Sequence, residues 1–319
     1  MLTFAGFFTP KYFPGMTGYM PNQALSDLSE YIYGTTRLGD SSIPFDERVS
    51  VARAAIDKGL WIHTSNQYGD ALQVLRAAYD RDRTRLPSAI FKIGWDSVDQ
   101  VRDVIKQNIE PLAIEKMVVG QLCLGGALAE DFRMGGVSFE GLNGLKDEGL
   151  VDRYVLELWP WNSDMAIDAL RADNVSRLVD GFIFYLNPLQ RFVTNDLWDM
   201  IHERDVTIIA MRTVCGGSVK RLIENPKAPE YLRKRAVEVA PIFERSGCTS
   251  WTEFCVRFAF GFAQVQSTVG STSQKERLAE FVEETERERP LDPEIHDEIV
   301  SLQRRWSDEH DVFAEPWSM

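Results

Sequence analysis

Tyr68 stands just past a short apolar run, Leu60 to Thr64, and Lys92 stands inside a second one, Ala89 to Gly94, about one strand-and-helix unit later. Brought together by neighbouring strands, a phenol and an ammonium make a pair with a definite chemistry. A free phenol titrates at about pH 10 and exchanges protons poorly near neutrality, whereas a nearby cation stabilises the phenolate and turns the group into a usable proton donor and acceptor. The two residues point to acid/base chemistry on a polar substrate. His63, near the end of the first run, adds an imidazole to the same neighbourhood.

Such a pair needs a scaffold that aims side chains from separate strands at one point. Short apolar runs recur along the chain at 31–36, 60–64, 89–94, 117–123, 153–158, 181–186, 206–211 and 265–269. Between them lie stretches with helical periodicity, such as 47–58, 98–109, 197–203 and 251–263, many opened by Asp, Ser or Thr caps. Strands alternating with helices imply parallel βαβ units, and eight of them predict a closed (β/α)8 barrel. The expected organisation is one barrel domain over 1–319, with 1–30 as an N-terminal cap segment and 273–319 as a helical tail. Two extra helices are predicted in that tail, Lys275 to Glu286 and Pro293 to Glu309, packing on the barrel's outside or shaping its mouth. No internal repeat beyond the alternation, and no low-complexity linker, marks a second domain.

In such a barrel, functional side chains project from the C-terminal ends of the strands and the loops after them. That rule selects Gly34, Thr35 and Thr36 after the first strand, His63 to Tyr68 after the second, Lys92 on the third and Cys123 on the fourth. Later strands contribute Trp159 and Trp161, then Tyr185 and Asn187, then Arg212 and Thr213, then Gly270 and Ser271. The Trp-Pro-Trp run suits a platform lining a substrate pocket, since alternate residues share one face.

Composition excludes several classes of function. The chain has 319 residues, 44% of them hydrophobic, which is ample for a large core and rules out disorder as the main state. With 48 acidic against 35 basic residues the net charge is −13, and no stripe of interleaved cations and aromatics offsets it, so the expected partner is a small molecule rather than nucleic acid or an anionic membrane. No apolar segment approaches the roughly 20 residues of a membrane span, and Pro10 and Pro14 interrupt an N-terminus without a basic leader, so no signal peptide is expected. Cysteines 123, 215, 248 and 255 form no CxxC pair, and with 4 histidines there is no zinc-type spacing. A reduced, cytoplasmic protein without a metal is the expectation.

From about Tyr31 to Arg305 the order and spacing of several segments resemble the aldo-keto reductase family. Tyr31 to Gly39 is similar to the family's first strand, and Ala54 to Gly59 with the turn through Tyr68-Gly69 to its second unit. Phe91-Lys92-Ile93-Gly94 resembles its lysine strand, and Gly120 to Cys123 the strand that usually ends in histidine. Leu145 to Val151, Ile208 to Met211 and Val269-Gly270-Ser271 fall where its fourth helix and last two strands belong. The resemblance implies reduction of a carbonyl by NADP(H), with Tyr68 as proton donor tuned by Lys92.

It also exposes substitutions. His63 occupies the position of the family's aspartate and Cys123 that of its histidine, so the sequence leaves Lys92 without its usual carboxylate partner; Cys123 orients a carbonyl poorly and offers space or a nucleophile instead. Trp159-Pro160 and Ile183 stand where the family holds the nicotinamide amide, and Leu186, or Tyr185 after a one-residue shift, where it stacks the ring. Cofactor positions implied by the resemblance are Gly34, Thr35, Gly270 and, around the phosphates, Arg212, Thr213, Ser271, Thr272, Lys275 and Arg277. The alternative expectation is a barrel without hydride chemistry, a non-redox lyase or isomerase using Tyr68, Lys92 and His63, or a ligand-binding pseudoenzyme.

Overall fold

A computed structural model describes residues 25–79, 88–94, 97–134, 136–172, 178–287 and 290–309. Most of the expected N-terminal cap segment, residues 1–24, lies outside the described residues. Nine strands are described: β1 (Tyr31–Gly34), β2 (Trp61–Thr64), β3 (Ala89–Ile93), β4 (Met117–Leu122), β5 (Val151–Glu157), β6 (Val179–Asn187), β7 (Gln190–Arg191), β8 (Ile208–Met211) and β9 (Val265–Ser271). All but β7 form a closed parallel sheet in the order β5-β4-β3-β2-β1-β9-β8-β6, with β6 pairing back to β5. The two-residue β7 folds back antiparallel on β6. The eight barrel strands match the expected runs to within two residues at each end, because strands covered on both faces read as short, nearly continuous apolar stretches.

The surrounding helices are α1 (Phe45–Asp57), α2 (Ala71–Tyr79), α3 (Val98–Leu112), α4 (Gly126–Met134), α5 (Val137–Asp147), α6 (Ser163–Arg171), α7 (Asn195–Glu203), α8 (Val219–Glu224), α9 (Glu230–Arg245), α10 (Trp251–Ala259), α11 (Lys275–Glu286) and α12 (Pro293–Glu309). Several start where a serine side chain caps a free backbone N–H: Ser97 accepts from Gln100 N at 3.3 Å, and Ser250 from Glu253 N at 3.0 Å. Both expected tail helices form with the bounds given by their periodicity, as α11 and α12. Among the described residues no helix is long and apolar enough to cross a membrane.

The N-terminal end of the barrel is closed by the segment just before β1. Arg153 makes two parallel hydrogen bonds to the Asp27 carboxylate, at 2.6 and 3.0 Å, while the Trp61 indole donates to Asp27 O at 2.8 Å. Trp61 is the first residue of β2 and Arg153 lies near the start of β5, so this layer sits across the N-terminal end of the barrel. The opposite end, where β2 to β5 deliver His63, Lys92, Gln121 and Glu157, is left for chemistry.

Candidate active site

Alternation along β5 sets the first unexpected residue. Tyr154 donates its hydroxyl outward to Leu142 O in α5 at 3.0 Å, which turns Arg153, Val155 and Glu157 toward the barrel interior. Glu157, only 2% exposed, ends the strand at the mouth. Its Oε1 lies 3.1 Å from Lys92 Nζ, and its Oε2 accepts a hydrogen bond from Cys123 Sγ. The sequence reading leaves Lys92 without a carboxylate partner; the fold supplies one from β5.

A polar chain continues from there. Gln121 Nε2 lies 3.9 Å from Cys123 Sγ, and Gln121 Oε1 lies 2.6 Å from Nε2 of His63. An amide oxygen only accepts, so Nε2 carries the ring proton. Burial pushes the His63 pKa down to about 4, helped by Lys92 and opposed by Gln121 and Glu157, which leaves the imidazole neutral. Burial also pushes the Cys123 thiol well up, and the neighbouring Glu157 adds to the effect, so Cys123 stays a thiol rather than a thiolate.

Burial works against the charge on Lys92, but the acidic groups around it, Cys123, Glu157 and Tyr68, outweigh burial and raise its pKa, with Glu157 the one that is a carboxylate ion-paired to it. Its side chain is 26% exposed and so reaches the mouth. Tyr68 lies within electrostatic range of Lys92, yet burial outweighs the cation and pushes the phenol up to about 12. The sequence leads one to expect a phenol tuned downward; the structure holds one that keeps its proton at neutral pH, which is the state a proton donor requires.

The loop carrying Tyr68 is fixed from three sides. Asn66 N donates to Asn108 Oδ1 of α3 at 2.7 Å, and Asp70 accepts from the buried Arg48 at 3.0 Å. The third support is a backbone-to-backbone fit. A Cβ placed on Gly39 would meet Tyr68 O at 2.1 Å, and one on Gly69, whose φ is +54°, would meet Gly39 O at 2.7 Å. Only glycine allows that approach on either side.

The remaining expected site residues fall into separate groups. Trp159 stacks on Trp161 with centroids 4.8 Å apart and meets Tyr185 at 5.2 Å, while Tyr185 stacks on Phe192 at 4.6 Å. Arg212 lies over the Tyr185 ring at 5.4 Å. These residues make one aromatic wall at the mouth. Asn187 does not join it: fully buried, its side chain accepts from Leu189 N at 2.9 Å and donates to Arg212 O at 3.1 Å, and its carbonyl accepts from Gln303 of α12 at 2.8 Å.

Among the residues expected around a cofactor, Thr35 and Thr213 are fully buried, with their hydroxyls directed to Thr64 Oγ1 at 2.8 Å and Ala210 O at 3.2 Å. Gly34 pairs with Ser271, whose Oγ accepts from Arg37 N at 3.1 Å. Gly270 accepts from the Tyr31 hydroxyl at 2.9 Å. Thr272 Oγ1 accepts from Gln274 N at 3.1 Å just ahead of α11, and Lys275 and Arg277 lie exposed in that helix's first turn. Two cations at a helix N-terminus suit the phosphates of a dinucleotide. The amide of a nicotinamide finds less at the expected positions: Ile183 is apolar and fully buried, Trp159-Pro160 offers no side-chain amide, and the nearby Asn162 carboxamide is spent on Trp159 N at 2.8 Å and Glu157 O at 3.3 Å.

No protein-family model matches the sequence, and no curated protein matches it. Solved structures do match by shape. An aldo-keto reductase from Klebsiella pneumoniae in complex with NADPH superposes with a TM-score of 0.66 at 15% identity, covering 87% of this chain and 92% of that one. The holo form of an aldo-keto reductase from Bacillus halodurans gives 0.66 at 17% identity, over 87% and 95% of the two chains. This chain has the aldo-keto reductase fold. A putative aldo-keto reductase from Pseudomonas aeruginosa matches it more loosely, with a TM-score of 0.57 at 16% identity over 81% and 89%. Within the aldo-keto reductase fold, Glu157 is the site residue that sequence reasoning misses, along with Gln121 and Phe192. The available signal for Glu157 was a carboxylate at the C-terminal end of the strand, directly after the apolar Tyr154-Val155-Leu156 run.

Proposed function

We propose that this chain is an NAD(P)H-dependent oxidoreductase that reduces a carbonyl compound, a sugar or an aromatic one. The observation that carries the reading is the Lys92–Glu157 ion pair beside Tyr68 at the mouth of the barrel. In this reading a bound NADP(H) supplies the hydride, its phosphates held by Lys275 and Arg277 with Ser271 and Thr272 nearby. Tyr68 donates the proton that the reduced carbonyl oxygen takes up. Lys92 stabilises the phenolate left behind, and Glu157 fixes the ammonium where it can do so. Neutral His63 and the Cys123 thiol line the carbonyl pocket without competing as bases. Further support comes from the solved neighbours of the same fold, one of which is described in complex with NADPH.

A second reading is favoured by one specific observation, the apolar Ile183 and Trp159-Pro160 at the positions where an amide would bind, with the nearby Asn162 carboxamide already engaged. It assigns Tyr68, Lys92 and His63 to non-redox acid/base chemistry, as in a lyase or isomerase, or to ligand binding alone. Calorimetric titration with NADPH, NADP+ and NADH separates the two. Micromolar binding of one of them supports the reductase, whereas no binding up to millimolar concentration favours the cofactor-free reading.

A further inference from the structure

Arg212 follows β8 directly, at the mouth, and three independent features set it apart. Its backbone sits at φ +54°, a left-handed conformation that costs a β-carbon residue free energy and persists where the surroundings impose it. Its Nη1 is buried with no hydrogen-bond partner among the described residues. Its guanidinium lies over the ring of Tyr185, 5.4 Å from the centroid, a cation–π contact that leaves the Nη1 hydrogens without an acceptor. A buried N–H of a cation without an acceptor is costly, and an anionic oxygen is the partner that best satisfies it.

The neighbourhood says what carries that oxygen. Tyr185 contacts Trp159, Trp159 stacks on Trp161, and Trp161 is 44% exposed, so an open aromatic face adjoins the unsatisfied donor. Tyr185 also feels the charges of Lys92 and Glu157, which places this wall within reach of the proton donor's surroundings. The dinucleotide phosphates have their own exposed cations at the start of α11. We propose that Arg212 recognises the substrate, and that the mouth takes an aromatic carbonyl compound bearing a carboxylate, its ring against Trp159 and Trp161 and its carboxylate on Nη1. The placement of the carbonyl rests on the reductase reading; the recognition of the acid does not.

The test is binding to the full chain without cofactor, followed by tryptophan fluorescence, with phenylglyoxylate and its uncharged methyl ester as probes. The acid should bind about tenfold to a hundredfold more tightly than the ester. Arg212→Gln should remove that difference by weakening the acid alone, and Arg212→Lys should retain part of it, since a point charge replaces a fork of donors. Equal binding of acid and ester by the unsubstituted protein overturns the proposal and needs no variant to fold. Acid binding unchanged by Arg212→Gln, with NADP+ affinity lost, assigns the guanidinium to cofactor phosphates and also overturns it. Selective acid binding without NADPH consumption leaves this site standing and removes the reductase reading instead.

Discussion

Lys92 Nζ and Glu157 Oε1 meet at 3.1 Å across the mouth of the barrel, with β4 lying between the strands that carry them. The carboxylate that the family resemblance places at position 63 is thus provided from a different strand. Glu157→Gln keeps the shape and removes the charge, leaving a partly buried ammonium without its counter-ion. Water reaches Lys92 at 26% exposure, so the expected loss of stability is about 1–3 kcal/mol rather than the larger cost of a fully buried break. Denaturant unfolding measures it. Turnover should fall with it, and adding His63→Asp should recover part of both by returning a carboxylate from β2; a double variant no better than the single one would show that the strand of origin matters.

Tyr68 should ionise late. With its pKa pushed up to about 12, mainly by burial, the phenol remains protonated through the neutral range. The difference in tyrosinate absorbance between the unsubstituted protein and Tyr68→Phe should therefore appear only above the ordinary titration near pH 10. Lys92→Met removes the one cation that opposes burial and should move the step higher still. In a reductase, Tyr68→Phe should abolish turnover and leave cofactor affinity nearly unchanged; retained turnover would remove the phenol from the mechanism.

Cys123 should be slow to react. Its thiol donates to Glu157 and has a raised pKa, both of which suppress the thiolate that alkylating reagents attack, although the residue is only partly buried. Iodoacetamide at pH 7.5 should label it far more slowly than a small thiol, as followed by peptide mass mapping. Rapid labelling at Cys123 would contradict the hydrogen bond to Glu157.

The fold was legible because each strand is a short apolar run between amphipathic helices, and the eight runs repeat regularly enough to imply closure. Tyr68 and Lys92 were legible by their positions at strand ends. Glu157 was not, because it lies within the run ending at Leu158, and strand-end reasoning passes over it to Trp159. Its inward direction follows only once Tyr154 is seen to face α5. The partner of a buried charge is a tertiary fact: nothing near residue 92 in the sequence specifies a strand reached 65 residues later.

Gly39 should resist substitution although it lies outside the polar chain of the site. An alanine Cβ there would sit 2.1 Å from Tyr68 O, far inside contact distance, so either the 36–39 turn or the loop bearing Tyr68 must move. Displacement of a proton donor by a fraction of an ångström to an ångström costs rate steeply, on the order of a hundredfold. Gly39→Ala is expected to lower kcat far more than it lowers Tm, and a variant with unaltered kcat would show that this contact does not position the phenol.

His63 gives the acid limit of the fold. Its pKa in the folded chain is about 4 against an ordinary value of 6.5, because charging the imbedded ring forfeits solvation. A depressed folded value means that the unfolded chain binds the proton first: the contribution to stability is complete above about pH 6.5 and is lost as the pH falls toward 4. Between pH 7 and pH 5 the loss from this one group is roughly 2 kcal/mol. His63→Gln removes the titration and offers a neutral amide to Gln121, so its unfolding midpoint should change less over that interval than that of the unsubstituted protein. Equal acid sensitivity of the two would place the titrating group elsewhere and mean that the imidazole is solvated in the folded chain.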